Sequence, residues 1–336
     1  MSEAVFEAGN LVLQSGITLR GAKLVYKTYG TLAADKSNVI VYPTSYSAQH
    51  TDVEWLIGPD RILDPSRFFI IVPNMFTNGL STSPSNVAAP FDRGRFPLVT
   101  SYDNVKAQQA LLKSVFGIDK IALVYGWSMG AQQAYHWASM FPDQVARACV
   151  VCGSARTAPH NIVFLEGVKS ALMADPAWQD GWFATQPLRG LRAMGRIYAG
   201  WALSQTFYRQ EMWRQLGAAS LEDFLIAGWE GNFQRRNAND LLAQLLTWQA
   251  GDISANERFE GDLGAALGAI RAKTLVMPGS HDLYFQVDDN ALEVPQMTQA
   301  KLLPIPSVWG HRAGNPSSCK EDERFIATAV RELLAS

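Results

Sequence analysis

The segment Tyr125-Gly126-Trp127-Ser128-Met129-Gly130-Ala131 is a Gly-x-Ser-x-Gly motif. It lies where a short apolar run ends and a helical pattern begins. That context, a sharp strand-to-helix turn, makes the motif a nucleophile elbow. Side chains two positions either side of the serine would collide with backbone in so tight a turn, and glycines at 126 and 130 remove the collision. A serine hydroxyl is a weak nucleophile near neutral pH. It needs a base, usually a histidine held by a carboxylate, and in this architecture the chain order is serine, acid, histidine.

The chain has five histidines, at 50, 136, 160, 281 and 311. His136 sits within the helix after the elbow, at the wrong end to reach back. His50 and His160 could line a site but come before the serine or too soon after it. His281 precedes an aspartate and is expected to face elsewhere. His311, in Val308-Trp309-Gly310-His311, follows a late β-type run on a loop that Gly310 makes pliable, and is the expected base. The acid is expected at Asp282, in the turn Pro278-Gly279-Ser280-His281-Asp282 after the run Thr274 to Met277. Asp288 and Asp289 are alternatives, but they read as the start of a helix.

An oxyanion needs two backbone N–H donors. One is expected from Met129, the residue after the nucleophile. The other should come from the loop Pro43-Thr44-Ser45-Tyr46-Ser47. Pro43 has no N–H, so Ser45 is expected, with Tyr46 as the alternative. Tyr46 and Trp127 are expected to contact substrate. Cys149-Val150-Val151-Cys152 has CxxC spacing, but two valines in a β-type run mark these as buried strand cysteines. No metal site and no cofactor are expected.

The elements that must hold these residues can be read from pattern. Val39 to Tyr42 and Phe68 to Val72 read as buried strands. A helix is predicted over 102–116, a strand over 121–125, a helix over 128–140 and a strand over 148–152. That alternation predicts a mostly parallel sheet with helices on both faces. From about 160 to 256 convincing strands are missing, and six of the ten tryptophans fall there. This stretch reads as a helical cap, placed between core segments 1–159 and 257–336. Strands return at 274–277 and 301–305, and a helix over 324–334 closes the chain.

Composition bounds the function. In 336 residues, 48% are hydrophobic and 18% charged, enough for a sizeable core. Lys+Arg 29 against Asp+Glu 31 leaves a net charge of −2 and no basic field for nucleic acid. No apolar run approaches the roughly 18–20 residues of a membrane span. The acidic start Met1-Ser2-Glu3 differs from a signal peptide, and three cysteines do not frame a disulfide scaffold. A cytoplasmic enzyme without membrane or nucleic-acid partners is expected.

Taken in order, the motifs resemble the homoserine O-acetyltransferase family of α/β-hydrolases from about Val39 to His311. The resemblance rests on Trp55-Leu56-Ile57-Gly58-Pro59, Ile62-Leu63-Asp64-Pro65-Ser66-Arg67-Phe68-Phe69, the elbow, and Phe141-Pro142-Asp143-Gln144-Val145. It continues through Ala155-Arg156-Thr157-Ala158-Pro159-His160-Asn161, Ala174-Asp175-Pro176-Ala177-Trp178 and Asn237-Ala238-Asn239-Asp240. It implies an α/β-hydrolase fold, the triad Ser128, Asp282 and His311, and a homodimer through the helical cap. Three departures matter. The family's acetyltransferases follow the catalytic histidine with an aspartate that helps hold the acceptor, where this chain has Arg312. Arg196 matches a carboxylate-gripping arginine, but its tyrosine partner falls on Ala202 or Leu203. The loop 43–47 departs from His-Ala-Leu-Thr-Gly. The acyl half of the machinery is complete and the acceptor half is altered. The expectation is therefore a serine esterase for short-chain, acetate-type esters. A homoserine O-acetyltransferase or related acyl-CoA-dependent O-acyltransferase is the alternative.

Overall fold

The computed structural model describes residues 2–336. Its centre is an eight-stranded sheet. Strands β1 (Ser2–Val12) and β2 (Thr18–Tyr29) form a long antiparallel hairpin at one edge. They are followed by β3 (Val39–Val41), β4 (Phe69–Pro73), β5 (Leu123–Trp127) and β6 (Arg147–Val151). A separate two-strand ladder, β7 (Trp178–Gln179) with β8 (Trp182–Phe183), precedes β9 (Lys273–Met277) and β10 (Ala300–Leu302). The sheet order is β1-β2-β4-β3-β5-β6-β9-β10, antiparallel across β1, β2 and β4 and parallel from β4 onward.

Strands β3 and β4 are buried throughout and β5, β6 and β9 in all but one residue, as a sheet covered by helices on both sides requires, while the edge strand β10 carries the exposed Lys301. Alternation sorts their side chains. Ile40, Tyr42, Leu123 and Tyr125 enter one apolar core, while Val39, Val41 and Val124 enter the other. The regular part of β10 ends at Leu302. The N–H groups of Leu303 and Ile305 still bond to Val276 and Pro278, but Pro304 between them has no donor. The hairpin β1–β2 extends the sheet beyond the strands that the sequence pattern had singled out.

The helices are α1 (His50–Val53), α2 (Ser101–Phe116), α3 (Met129–Met140), α4 (Pro159–Met173), α5 (Leu188–Ala202) and α6 (Gln205–Arg209). They continue with α7 (Leu221–Asp223), α8 (Gly231–Gln234), α9 (Ala238–Gln249), α10 (Leu263–Gly268), α11 (Val287–Glu293) and α12 (Lys320–Ala335). Thr100 starts α2 with a reciprocal capping box to Asp103. The stretch from α4 through α9 is the helical insertion between β6 and β9. Its aromatic residues, among them Phe164, Tyr198 and Trp248, join the same core as the upper sheet face. None of its six tryptophans is exposed: Trp213, Trp229 and Trp248 are buried, and Trp178, Trp182 and Trp201 are half-buried. They pack inward and do not form an outer apolar surface.

Candidate active site

Ser128 stands between the end of β5 and the start of α3, with φ 58° and ψ −128°. That backbone is costly for a residue with a β-carbon, and it is held by its surroundings. The Ser128 N–H donates to the Val151 carbonyl at 3.0 Å. A β-carbon on Gly126 would sit 2.1 Å from the Gly130 carbonyl oxygen, and one on Gly130 would sit 2.7 Å from the Pro43 oxygen. The two glycines are therefore a packing requirement of this turn.

Ser128 Oγ lies 2.9 Å from His311 Nε2, and His311 Nδ1 lies 2.7 Å from Asp282 Oδ2. The second carboxylate oxygen accepts from the N–H groups of Tyr284 (2.8 Å) and Phe285 (3.2 Å). A carboxylate only accepts, so Nδ1 carries the imidazole proton and Nε2 keeps a lone pair toward the serine. All three side chains are buried. Asp282 reaches this position from the turn after β9, and His311 from the single-turn helix Gly310–Gly314. Asp288 and Asp289 begin α11 instead and make no contact with His311.

The other histidines have separate partners. His50 packs against Asn74 and Glu3, His136 against the Gln132 carbonyl, His281 against the Ser307 carbonyl, and His160 against the Trp201 ring.

The N–H groups of Met129, Ser45 and Tyr46 have no acceptor among the described residues. Ser45 Oγ donates to the Trp127 carbonyl and accepts weakly from Gly130 N–H, which docks the loop 43–47 on the elbow. Ser47 has φ 57°, and its backbone is held from the insertion. Gln244 Oε1 accepts its N–H at 2.7 Å, and Arg236 Nε donates to its carbonyl at 2.8 Å. Sequence reasoning missed this brace, because neither Gln244 nor Arg236 belongs to a motif.

A cavity of about 250 Å³ opens over Ser128 and His311. Its inner wall is aromatic. Tyr46 stacks on Tyr198 with centroids 5.7 Å apart, and Trp248, Tyr284 and Phe233 close the wall. Tyr46, Trp127 and Arg312 line this cavity. Arg196 does not. Its guanidinium is tied to Glu230 at 2.6 Å and to Glu222, on the half-exposed outer side of α5. The expectation that it contacts substrate is corrected: a buried carboxylate, Glu230, claims it first.

Cys149 is buried within β6, but Cys152 lies one residue past it at φ 46°, with its sulfur beside Asp282. Burial, and then the neighbouring carboxylate, push its thiol well above the usual range, so it stays protonated. The sulfur, Asp282 and His311 have ligand atoms within 4.8 Å of one another. Asp282 and His311 are, however, already bonded to each other, and the protonated thiol is a poor metal ligand.

Residues 55–307 match the family model described as the alpha/beta hydrolase fold. A probable esterase of Corynebacterium glutamicum is 41% identical over 307 residues, covering 90% of this chain and 87% of that protein. The ethyl acetate hydrolase of Pseudomonas veronii is 39% identical over 306 residues, with coverage of 90% and 87%. The solved structure of an acetylester hydrolase from Corynebacterium glutamicum superposes with a TM-score of 0.96 at 38% identity, covering 100% of this chain and 96% of that one. Homoserine O-succinyl- and O-acetyltransferases are similar at lower identity, 33% and 30%.

Proposed function

The chain belongs to the α/β-hydrolase family, in the group that holds these esterases and homoserine O-acyltransferases; from that premise we propose that it is a serine esterase cleaving short-chain, acetate-type esters through an acyl-enzyme on Ser128. The observation that carries the mechanism is the continuous line from Ser128 Oγ through the His311 ring to Asp282, at 2.9 and 2.7 Å.

His311 Nε2 takes the hydroxyl proton as Oγ attacks the ester carbonyl. The resulting oxyanion is held by the N–H groups of Met129 and Ser45. As the tetrahedral adduct collapses, His311 returns the proton to the alcohol oxygen, and the alcohol leaves. Water then enters, gives a proton to His311 and attacks the acyl carbon; as this second adduct collapses, the bond to Ser128 Oγ breaks, His311 returns the proton to Oγ, and the acid leaves. Asp282 fixes the imidazole tautomer and stabilises the imidazolium while it exists. The aromatic wall of Tyr46, Tyr198 and Trp248 offers an apolar face for a small acyl group.

The segment 160–256 serves as a cap over this cavity, with 1–159 and 257–336 as the catalytic core. Among the cap's exposed apolar residues, Val163 on α4 and Leu188 on α5 are the most exposed, at 65% and 57%. A homodimer formed through the cap is part of this proposal; sedimentation of a monomer at micromolar concentration would count against it. No helix of the described residues is long and apolar enough to cross a membrane. All three cysteines are free, which fits a cytoplasmic setting.

The alternative of acyl transfer parts from this reading at the second step. A transferase must position an acceptor oxygen against His311 well enough to outcompete water. Arg312 lines the cavity where the acetyltransferase pattern has an aspartate, and it repels the ammonium of an amino-acid acceptor. Acetyl-CoA and p-nitrophenyl acetate, each supplied with and without homoserine, separate the two. Free acetate as the main product supports hydrolysis, and acetyl-homoserine as the main product overturns it.

A further inference from the structure

Arg312 follows His311 in the turn Gly310–Gly314 and lines the catalytic cavity. The other charged residues lining it are spoken for. Asp52 receives Arg235 at 2.7 Å and, from behind, Arg236 at 2.7 Å. Arg312 has no carboxylate partner and no side-chain hydrogen bond among the described residues. Its one electrostatic neighbour is the Tyr208 phenol, whose hydroxyl donates to the Ala199 carbonyl. Arg312 is half-buried, and desolvation pulls its guanidinium below the ordinary value with no carboxylate to oppose it. A guanidinium does not give up its proton in a protein, so the charge stays. An unpaired, half-buried cation on a cavity wall favours an anionic group that enters beside it.

His311 hands its proton to the alcohol oxygen of the ester, and Arg312, the next residue, lines the same cavity. We propose that the alcohol half of the natural substrate carries a carboxylate, which pairs with Arg312 through the two-pronged geometry that guanidinium and carboxylate share. This rests on the esterase reading above and adds the substrate class to it. No free carboxylate lines the cavity to repel such a group. The same charge rejects amine-bearing alcohols.

The test uses matched acetate esters that differ only in charge, acetoxyacetate and acetoxyacetamide, with p-nitrophenyl acetate as a general esterase substrate. The wild-type enzyme is expected to prefer the carboxylate ester in kcat/KM by about tenfold to a hundredfold, the range of one charge-assisted pair. In Arg312→Met the ratio of the two kcat/KM values should fall to one or below, and Arg312→Lys should keep part of it. The wild-type ratio decides even if neither variant folds. Equal rates for the two esters, or a ratio that survives Arg312→Met, overturn the inference and leave the esterase reading intact. Preference for monoethyl succinate over ethyl succinamate, without preference between the acetoxy pair, overturns the placement on the alcohol side. Failure to cleave any ester, p-nitrophenyl acetate included, removes the esterase reading and this inference with it.

Discussion

Trp127 holds His311 in two ways at once. Its indole lies against the imidazole with ring centroids 5.1 Å apart and planes 28° from parallel, and its Nε1–H donates to the His311 carbonyl at 3.3 Å. Trp127 is the residue before Ser128. The strand that delivers the proposed nucleophile therefore also fixes the base, and Asp282 grips the far side of the same ring. Any displacement of the β5 end moves both partners together.

Replacing Trp127 by Phe keeps a stacking ring and removes the hydrogen bond. The expected result is a fall in kcat of about two- to tenfold, the worth of one neutral hydrogen bond, with KM little changed. Steady-state kinetics on an acetate ester checks it. An unchanged kcat would mean that Trp127 lines the cavity without positioning the base.

Arg196→Gln should leave kcat/KM within about twofold, because Arg196 is engaged by Glu230 and Glu222 away from the cavity. Glu230 retains Arg192 at 2.6 Å. The loss of stability, read by thermal denaturation, should be small, because the buried Glu230 keeps its second cation, Arg192. A large rise in KM would return Arg196 to the substrate site.

Asp240, at the start of α9, ties the helical insertion to the segment between β4 and α2 by accepting from Ser85 N–H at 2.9 Å and Ser85 Oγ at 2.6 Å. Burial pushes its carboxyl up to about 6, against the lowering pull of the Ser85 bonds. A raised acid favours the folded state most fully below the ordinary carboxylate range. That contribution is lost as pH rises toward about 6. At about 1.4 kcal/mol per pH unit, the effect is bounded at roughly 3 kcal/mol. Asp240→Asn should flatten the decline in denaturation midpoint between about pH 4 and pH 6. An unaltered pH profile would show that Asp240 is charged throughout.

The convergence of Ser128, Asp282 and His311 is legible in the sequence because chain order and sheet order constrain it. Each lies just past the carboxyl end of a strand-like run, and adjacent parallel strands bring those ends together. The parallel strands are legible for the same reason, as apolar runs closed by turns. What sequence does not carry is pairing between distant surface and cap residues. Arg196 meets Glu230 because the insertion folds back on itself, and Gln244 reaches Ser47 across 197 positions. No local pattern encodes either contact. The two N-terminal strands blur for a different reason. Val5 and Val12 are exposed, so the hairpin's alternation of apolar and polar residues is incomplete where it meets solvent at the sheet edge.

The most direct measurement is the chemical state of Ser128 during turnover. Enzyme stopped by acid early in reaction with an activated acetate ester, then digested and weighed, should carry one acetyl group on the peptide containing Ser128. Ser128→Ala should carry none and should lose on the order of 10⁴–10⁶ of kcat while remaining folded. An acetyl group on another residue, or a Ser128→Ala enzyme retaining a tenth of wild-type activity, would contradict the acyl-enzyme on which the proposed function depends.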